Sequence, residues 1–437
     1  MCLRATMVIL LAGLLLGCQS SRRAQTLGRI DLALTGAAEY LADHQSDDGA
    51  WRSERYGVFR DGPTLTPHVL SSLHFLHQGK APARESFRRG VNYLLAMVDG
   101  DGRIDTSSAG PNGLAVPLHM PVYTAAAASW VVVLEHDSPV HRTAQFAFLA
   151  LVRQHQLTEA RGWDRSDPGF GGWGYSIIEP RKPTDDDHGG HPRFEANISA
   201  TLYAIGALRV AKVPRSYPPY RNALLFIPRC QNFTTNRAVY DPRFDDGGFF
   251  FSPVDAARNK AGPVGTDRRG RQRFASYGSA TADGVRALLQ CGLPTDHPRV
   301  VAARRWLKQN FTAKTNPGRF NADREVLRDA YYFYYCWSVS HALTRLGAGE
   351  VESAEGLVDW AYALADELIN RQLFDGSWSN SYTDGKEDDP LVATPLAAAA
   401  LAVCRNAIAA GPVRPPKRPD TPPLPRIERA RPYFTVP

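Results

Sequence analysis

A glycine unit recurs six times along this chain of 437 residues, and no other feature limits its fold so strongly. The copies are Gly49-Ala50-Trp51, Gly102-Arg103-Ile104, Gly171-Gly172-Trp173, Gly247-Gly248-Phe249, Gly318-Arg319-Phe320 and Gly376-Ser377-Trp378. They are spaced by 53, 69, 76, 71 and 58 residues. In four copies an Asp precedes the Gly (Asp48, Asp101, Asp246 and Asp375), and Asp-Gly marks a turn because Gly accepts positive φ. Self-similarity of this kind points to one supersecondary unit repeated around or along a core.

Each unit stands between two helical patterns. The segments before it are 30–45, 87–98, 143–154, 221–231, 299–310 and 354–371, and they mix charge with apolar residues at helical spacing, as half-exposed outer helices do. The segments after it are 66–77, 122–135, 197–212, 279–291, 330–346 and 393–409. These are far more apolar; the runs from Tyr123 to Leu134 and from Thr394 to Val403 have no polar face. Helices apolar all round are buried. The pattern predicts an all-α fold, six outer and six inner helices closing into an α6/α6 toroid over residues 30–410. No period-two strand pattern competes with it.

The two ends read differently. Residues 1–18 hold one Arg, an apolar run from Met7 to Leu16, then Gly17-Cys18, the pattern of a signal peptide. Leu15-Leu16-Gly17-Cys18 resembles the lipobox of bacterial lipoproteins, which implies cleavage before Cys18 and diacylation of its thiol; an ordinary signal peptide cut nearby is the alternative. Residues 19–29 are expected as a linker. Residues 411–437 contain nine prolines and six Lys/Arg against Asp420 and Glu428, and are expected as an extended basic tail. Most of the formal charge of +7 sits in these ends. The body between them is neutral, so charge gives no case for nucleic-acid binding. Cys230, Cys291, Cys336 and Cys404 have no framework spacing and are expected as buried thiols.

Gln45-Ser-Asp-Asp-Gly-Ala-Trp51 and Gln372-Leu-Phe-Asp-Gly-Ser-Trp378 resemble the QW motif of squalene and oxidosqualene cyclases. The copies at Gly171–Ser176 and Gly247–Ser252 resemble the degenerate ones of that superfamily, which includes protein prenyltransferase β subunits. The aromatic run Tyr331–Leu343 resembles the inner helix of bacterial squalene-type cyclases. The resemblance spans residues 30–410 and implies the toroid, with the Gln bonding backbone near the end of the outer helix, the Trp stacked beside it, and Trp51, Trp173 and Trp378 as scaffold.

The same resemblance locates missing chemistry. Squalene-type cyclases protonate an alkene with an Asp in a D-x-D-D-T-A element. The matching stretch is Ser279-Ala-Thr-Ala-Asp283, with Ser279 at the place of that Asp, and a hydroxyl is far too weak an acid. Asp283 lies one helical turn further on and is the candidate catalytic acid. Prenyltransferase zinc ligands are matched by Asp329 alone, since Tyr331 and Val392 stand where Cys and His belong, so neither a metal nor another cofactor is expected.

The residues offered for ligand binding are Tyr203, Tyr277, Ser279, Tyr331, Tyr332, Tyr334, Tyr335, Trp337 and His341, with Tyr123 as a weaker member. Helical periodicity sends about half of the aromatic run outward instead, and His341 reads equally as a core residue. Two long loops at the mouth carry charge. Asp185-Asp-Asp-His-Gly-Gly-His191 reads as a solvated turn or a cation site. The stretch with Arg258, Lys260, Arg268, Arg269, Arg271 and Arg273 reads as an anion site or as a partner of the acidic loop.

Three functions stay open. The first is an envelope-anchored toroid that binds an apolar, isoprenoid-like ligand or an envelope protein, without catalysis. The second is a terpene cyclase or prenyl-processing enzyme with an unfamiliar acid, Asp283 or the Asp185–Asp187 loop. The third is a glycan-processing toroid, which needs paired carboxylates at the mouth such as Asp384, Glu387, Asp388 and Asp389. Fold alone decides none of them.

Overall fold

The structure, a computed structural model, describes residues 2–76, 81–106, 118–183, 195–353 and 356–411, with side chains from residue 21 onward. Six inner helices form a ring: α2 (Thr66–Leu76), α4 (Pro121–Val131), α6 (Ile198–Val210), α8 (Gly278–Gln290), α11 (Tyr332–Arg345) and α13 (Pro390–Ala410). Each packs on the next, and α13 packs back on α2, so the ring closes. Outside it lie α1 (Cys2–Asp43), α3 (Ala81–Ala96), α5 (Pro139–Gln154), α7 (Pro218–Phe226), α9 (Pro298–Gln309) and α12 (Trp360–Asn370). The sixth inner helix is long and apolar enough to cross a bilayer, yet it lies mostly buried in the ring. A short α10 (Val326–Ala330) precedes α11, the two separated by a break at Tyr331.

The expected alternation of outer and inner helices is what the structure shows, with two departures. Residues 19–29 are helix and not linker. The first outer helix continues through them because Thr26 and Ile30 are buried, Arg22 lies over the Tyr362 ring and Arg29 pairs with Asp366 at 2.8 Å. The sixth outer helix starts at Trp360 and not at 354. Two strands, β3 (Glu350–Ser353) and β4 (Gly356–Asp359), pair antiparallel ahead of it in the same repeat. Asp359 ends β4 and caps the helix, accepting from the Ala361 and Tyr362 amides. A hairpin, β1 (Pro263–Thr266) with β2 (Gln272–Phe274), belongs to the basic loop. Cys18 lies within α1 where side chains are not described, and the tail beyond 411 lies outside the described residues. The four later cysteines are buried thiols.

The repeat works as a clamp between neighbours, and it reaches further than the resemblance implied. Gln45 Nε2 donates to the Gly49 carbonyl of its own turn at 2.8 Å and to the Ser86 carbonyl of the next outer helix at 2.9 Å. Gln156 does the same with Gly171 and Pro219, Gln231 with Gly247 and Arg299, and Gln372 with Gly376 and Ala33. The last pair joins the sixth repeat to the first. Indole N–H groups of Trp51, Trp173 and Trp378 donate to the Leu41, Val152 and Leu368 carbonyls of the preceding outer helix. All three rings are fully buried, which stabilises each by about 2–3 kcal/mol on area alone.

The turn glycine is demanded twice over at Gly376. Its φ is 86°, and a Cβ there would sit 2.4 Å from the Gly36 carbonyl oxygen of α1. Gly171 repeats the arrangement against Asn222 at 2.0 Å. Gly376→Ala should therefore cost about 2–4 kcal/mol through strain and displacement of α1. Gly57→Ala, with nothing within 4 Å, should be near neutral. Urea unfolding followed by far-ultraviolet circular dichroism separates the two; equal midpoints would contradict the ring-closing role of Gly376.

Candidate functional site

The clamp also fixes which residues face the toroid axis. The backbone N–H groups of Trp51, Trp173, Phe249 and Trp378 donate to the hydroxyls of Thr66, Thr201, Thr281 and Thr394 at 3.0–3.2 Å. Thr281, which the cyclase resemblance had placed in a catalytic element, is thus part of the scaffold. Two residues beyond three of these threonines come His68, Tyr203 and Asp283, all on the inner wall. Tyr331 at the break, and Tyr334, Trp337 and His341 on α11, keep partial exposure, while Phe333 and Cys336 are buried.

Tyr332 and Tyr335 stand apart from the inward-facing set. Both are fully buried, and their hydroxyls donate outward to the Ala313 and Thr312 carbonyls, because the helical period turns them from the axis. Tyr277 is also buried, against Phe320. Ser279 is closed off by Asn316, which donates to its hydroxyl at 3.1 Å and accepts from its amide at 3.0 Å.

Rings from helices that are not neighbours meet across the axis. Tyr203 of α6 lies 5.7 Å from His68 of α2 and 5.5 Å from Trp337 of α11, centroid to centroid. Tyr123 lies 4.8 Å from Tyr203, and Trp337 contacts Tyr334 and His341. His68, Tyr203, Tyr334, Trp337, His341 and Arg286 lie amid the inner helices yet keep accessible surface. Together they form an aromatic wall on the inner side of the helix ring. Burial pushes His68 down to about 4 and His341 well below its usual value, so both are neutral at pH 7.

Asp283 supplies the charge in this wall. It is 1% exposed, with Tyr334 donating to Oδ2 at 2.8 Å, Ser338 donating to Oδ1, and Arg286 4.0 Å away. Ser199 hydrogen-bonds the Tyr334 hydroxyl, and Arg286 lies 4.2 Å over the Trp337 ring. Burial pushes the carboxyl up, while Arg286 and the two hydroxyls oppose it; the net shift is upward. His68, Ser199, Arg286, Ser338 and Tyr175 were not visible as site residues in the sequence. The position two beyond each threonine would have identified His68.

At the mouth, Lys260 Nζ rests 4.1 Å over Phe251 and 4.3 Å over Tyr331, and Arg258 covers Tyr175 while pairing with Asp255. Three of the six bases of this loop are paired locally, Arg258 with Asp255, Arg271 with Asp267 and Arg273 with Asp245, the last two at 2.8 Å. A recess of about 680 Å³ opens on the outer rim beside these pairs, lined by Phe233, Phe250 and Phe274 with Arg229, whose guanidinium is held by backbone carbonyls. The acidic stretch 185–191 lies outside the described residues. The mouth acids of the last repeat are structural. Glu387 accepts from the Phe333 and Tyr334 amides at 2.8 Å, Asp389 caps α13 and takes the Ser53 hydroxyl, and Asp388 holds Tyr56 and Arg55. Burial raises Glu387 to about 8 against the pull of those amides. Asp329 accepts from Thr315 at 2.6 Å. Among the described residues no three His, Cys, Asp or Glu side chains converge on a metal position.

Removing the Tyr334 hydroxyl withdraws a donor from a buried carboxylate. Tyr334→Phe should cost about 1–2 kcal/mol and push the Asp283 carboxyl further up. A carboxyl raised in the folded state contributes stability below its unfolded value near 4 and loses it as pH rises through the folded value. The deficit of Tyr334→Phe should accordingly be greater at pH 7 than at pH 4.5 in paired thermal unfolding scans. A deficit independent of pH would place Asp283 outside this network.

No protein-family model and no characterised protein matches the chain by sequence. Among solved structures, a variant of the type II terpene cyclase MstE from Scytonema, bound to its product merosterolic acid A, is similar at TM-score 0.51 and 15% identity. The match covers 87% of this chain and 98% of that one. Cellobiose 2-epimerase from Spirochaeta thermophila is similar at TM-score 0.50 and 15% identity over 88% of this chain and 98% of that one. Both are α/α toroids, and the fold of this chain is that of an α/α toroid.

Proposed function

We infer that this protein binds an apolar, isoprenoid-like ligand in the aromatic hollow at the centre of its toroid, held at the cell envelope by a lipid on Cys18. The observation that carries the reading is the cluster of rings meeting across the axis, Tyr203, Trp337, Tyr334 and His68, deep in the protein and still accessible. Such a wall offers a large apolar contact area and edge-to-face partners for a polyene. The terpene cyclase of the same fold holds a terpenoid product, which agrees with an apolar occupant. The envelope placement rests on the lipobox resemblance of residues 15–18 alone.

Binding without cyclisation fits the acid better. Both Asp283 oxygens accept hydrogen bonds from hydroxyls, an arrangement that stabilises the carboxylate and does not present a proton to an alkene. The position of the cyclase acid is held by Ser279, whose hydroxyl is occupied by Asn316. Glycan chemistry has less support, because Glu387, Asp388 and Asp389 are spent on helix caps and ring closure. Cyclisation through Asp283 remains the second reading, favoured by the upward shift of this buried carboxyl within the hollow.

Titration with farnesol should quench indole fluorescence saturably, with the change lost in Trp337→Phe, and calorimetric titration should show affinity lowered about ten-fold in Trp337→Ala. Squalene incubated with the protein should be recovered unchanged by gas chromatography and mass spectrometry. An absence of quenching would remove the binding reading. A cyclic product lost in Asp283→Asn would establish the second.

A further inference from the structure

At the mouth of the toroid lies a cation with no ion pair among the described residues. Lys260 Nζ sits over the faces of Phe251 and Tyr331 at 4.1 and 4.3 Å, and among the described residues it makes no hydrogen bond and has no carboxylate within ion-pair distance. Its neighbours in the same loop differ: Arg258, Arg271 and Arg273 each have an acid. Asp283, deeper in the hollow, acts on Lys260 electrostatically without touching it. The two ring faces support the charged form, while burial beside the Arg258 cation favours the free amine, the setting in which a lysine acts as a nucleophile.

We propose that Lys260 is a covalent ligand-binding residue that forms an imine with the carbonyl group of an apolar aldehyde or ketone seated in the hollow. This rests on the binding reading above and names the class of ligand: an isoprenoid-like chain ending in a carbonyl at the mouth. The neutral amine attacks the carbonyl carbon, the C–N bond forms, and the carbonyl π pair moves to oxygen. That oxygen leaves as water with the two amine protons, so one aldehyde and one amine give one imine and one water, with no change of oxidation state. Protonated, the iminium keeps the place of the ammonium over Phe251 and Tyr331 and has the Asp283 charge across the hollow.

The supply of free amine is adequate. Burial lowers Lys260 to about 8, with Arg258 adding to the effect and Asp283 opposing it. Roughly a tenth of the side chain is then unprotonated at pH 7, on the order of 10²-fold more than for an ordinary lysine. Lys182, Lys212 and Lys314 are exposed and serve as internal comparison.

The test is reductive trapping. The protein is incubated with farnesal and cyanoborohydride at pH 7, digested, and mapped by mass spectrometry. Lys260 should carry at least about ten-fold more adduct than Lys182 or Lys212. Excess farnesol should suppress the Lys260 adduct. Lys260→Arg should lose it while keeping the wild-type near-ultraviolet circular dichroism spectrum, which shows an intact fold. Adduct spread over the lysines according to exposure, with farnesol quenching unchanged, would overturn the imine and leave the binding reading standing. An unlabelled Lys260 together with no farnesol quenching would remove both.

Discussion

In four of the six repeats one glutamine amide holds two backbone carbonyls at once, one in its own turn and one in the next outer helix. At Gln45, Gln156, Gln231 and Gln372 this bond pair is the physical link between repeats. A helical hairpin with one apolar face has no reason to stop at any particular neighbour; the clamp supplies the register. Because Gln372 reaches Ala33, the row of hairpins bends into a ring and does not run on as a solenoid. The glycine of each turn lets the backbones approach closely enough for the amide to span them.

The centre of the molecule follows from that register. With the turn clamped, the Trp or Phe amide meets a threonine at the start of the inner helix, and the residue two further on faces the axis. Three repeats place His68, Tyr203 and Asp283 there, and α11 adds Tyr334, Trp337 and His341. The bulk of these rings leaves them in contact across the axis, and the one acid among them is secured by Tyr334, Ser338 and Arg286. Three of the eight tryptophans are held in clamps, and Trp337 joins the tyrosines in the wall.

The fold was largely legible because each of its determinants is local. The glycine turn, the Gln before it, and the contrast between mixed and wholly apolar helices lie within one repeat. The sites were less so. The aromatic run of α11 announced a wall, and helical period separated Tyr334 and Trp337 from Tyr332 and Tyr335 only once the axis was known. Ser279 and Thr281 resembled a catalytic element, and contacts with Asn316 and Phe249 gave them scaffold roles that no linear motif encodes. Lys260 looked like one base among six in a charged loop. Its partial burial over the Phe251 and Tyr331 rings, which sets it apart from the exposed Arg268 and Arg269, shows only in the folded chain. The strand pair β3–β4 and the helical stretch at 19–29 were missed because packing against other repeats decides them.

The proposal that the toroid is a container for an apolar molecule is tested most directly by native mass spectrometry on protein purified from its own host in mild detergent, with the released lipids identified. The account expects a stoichiometric polyprenoid or hopanoid that is absent from Trp337→Ala prepared in parallel. An unliganded toroid in both preparations, or one that retains only a protein partner on its outer surface, would contradict it.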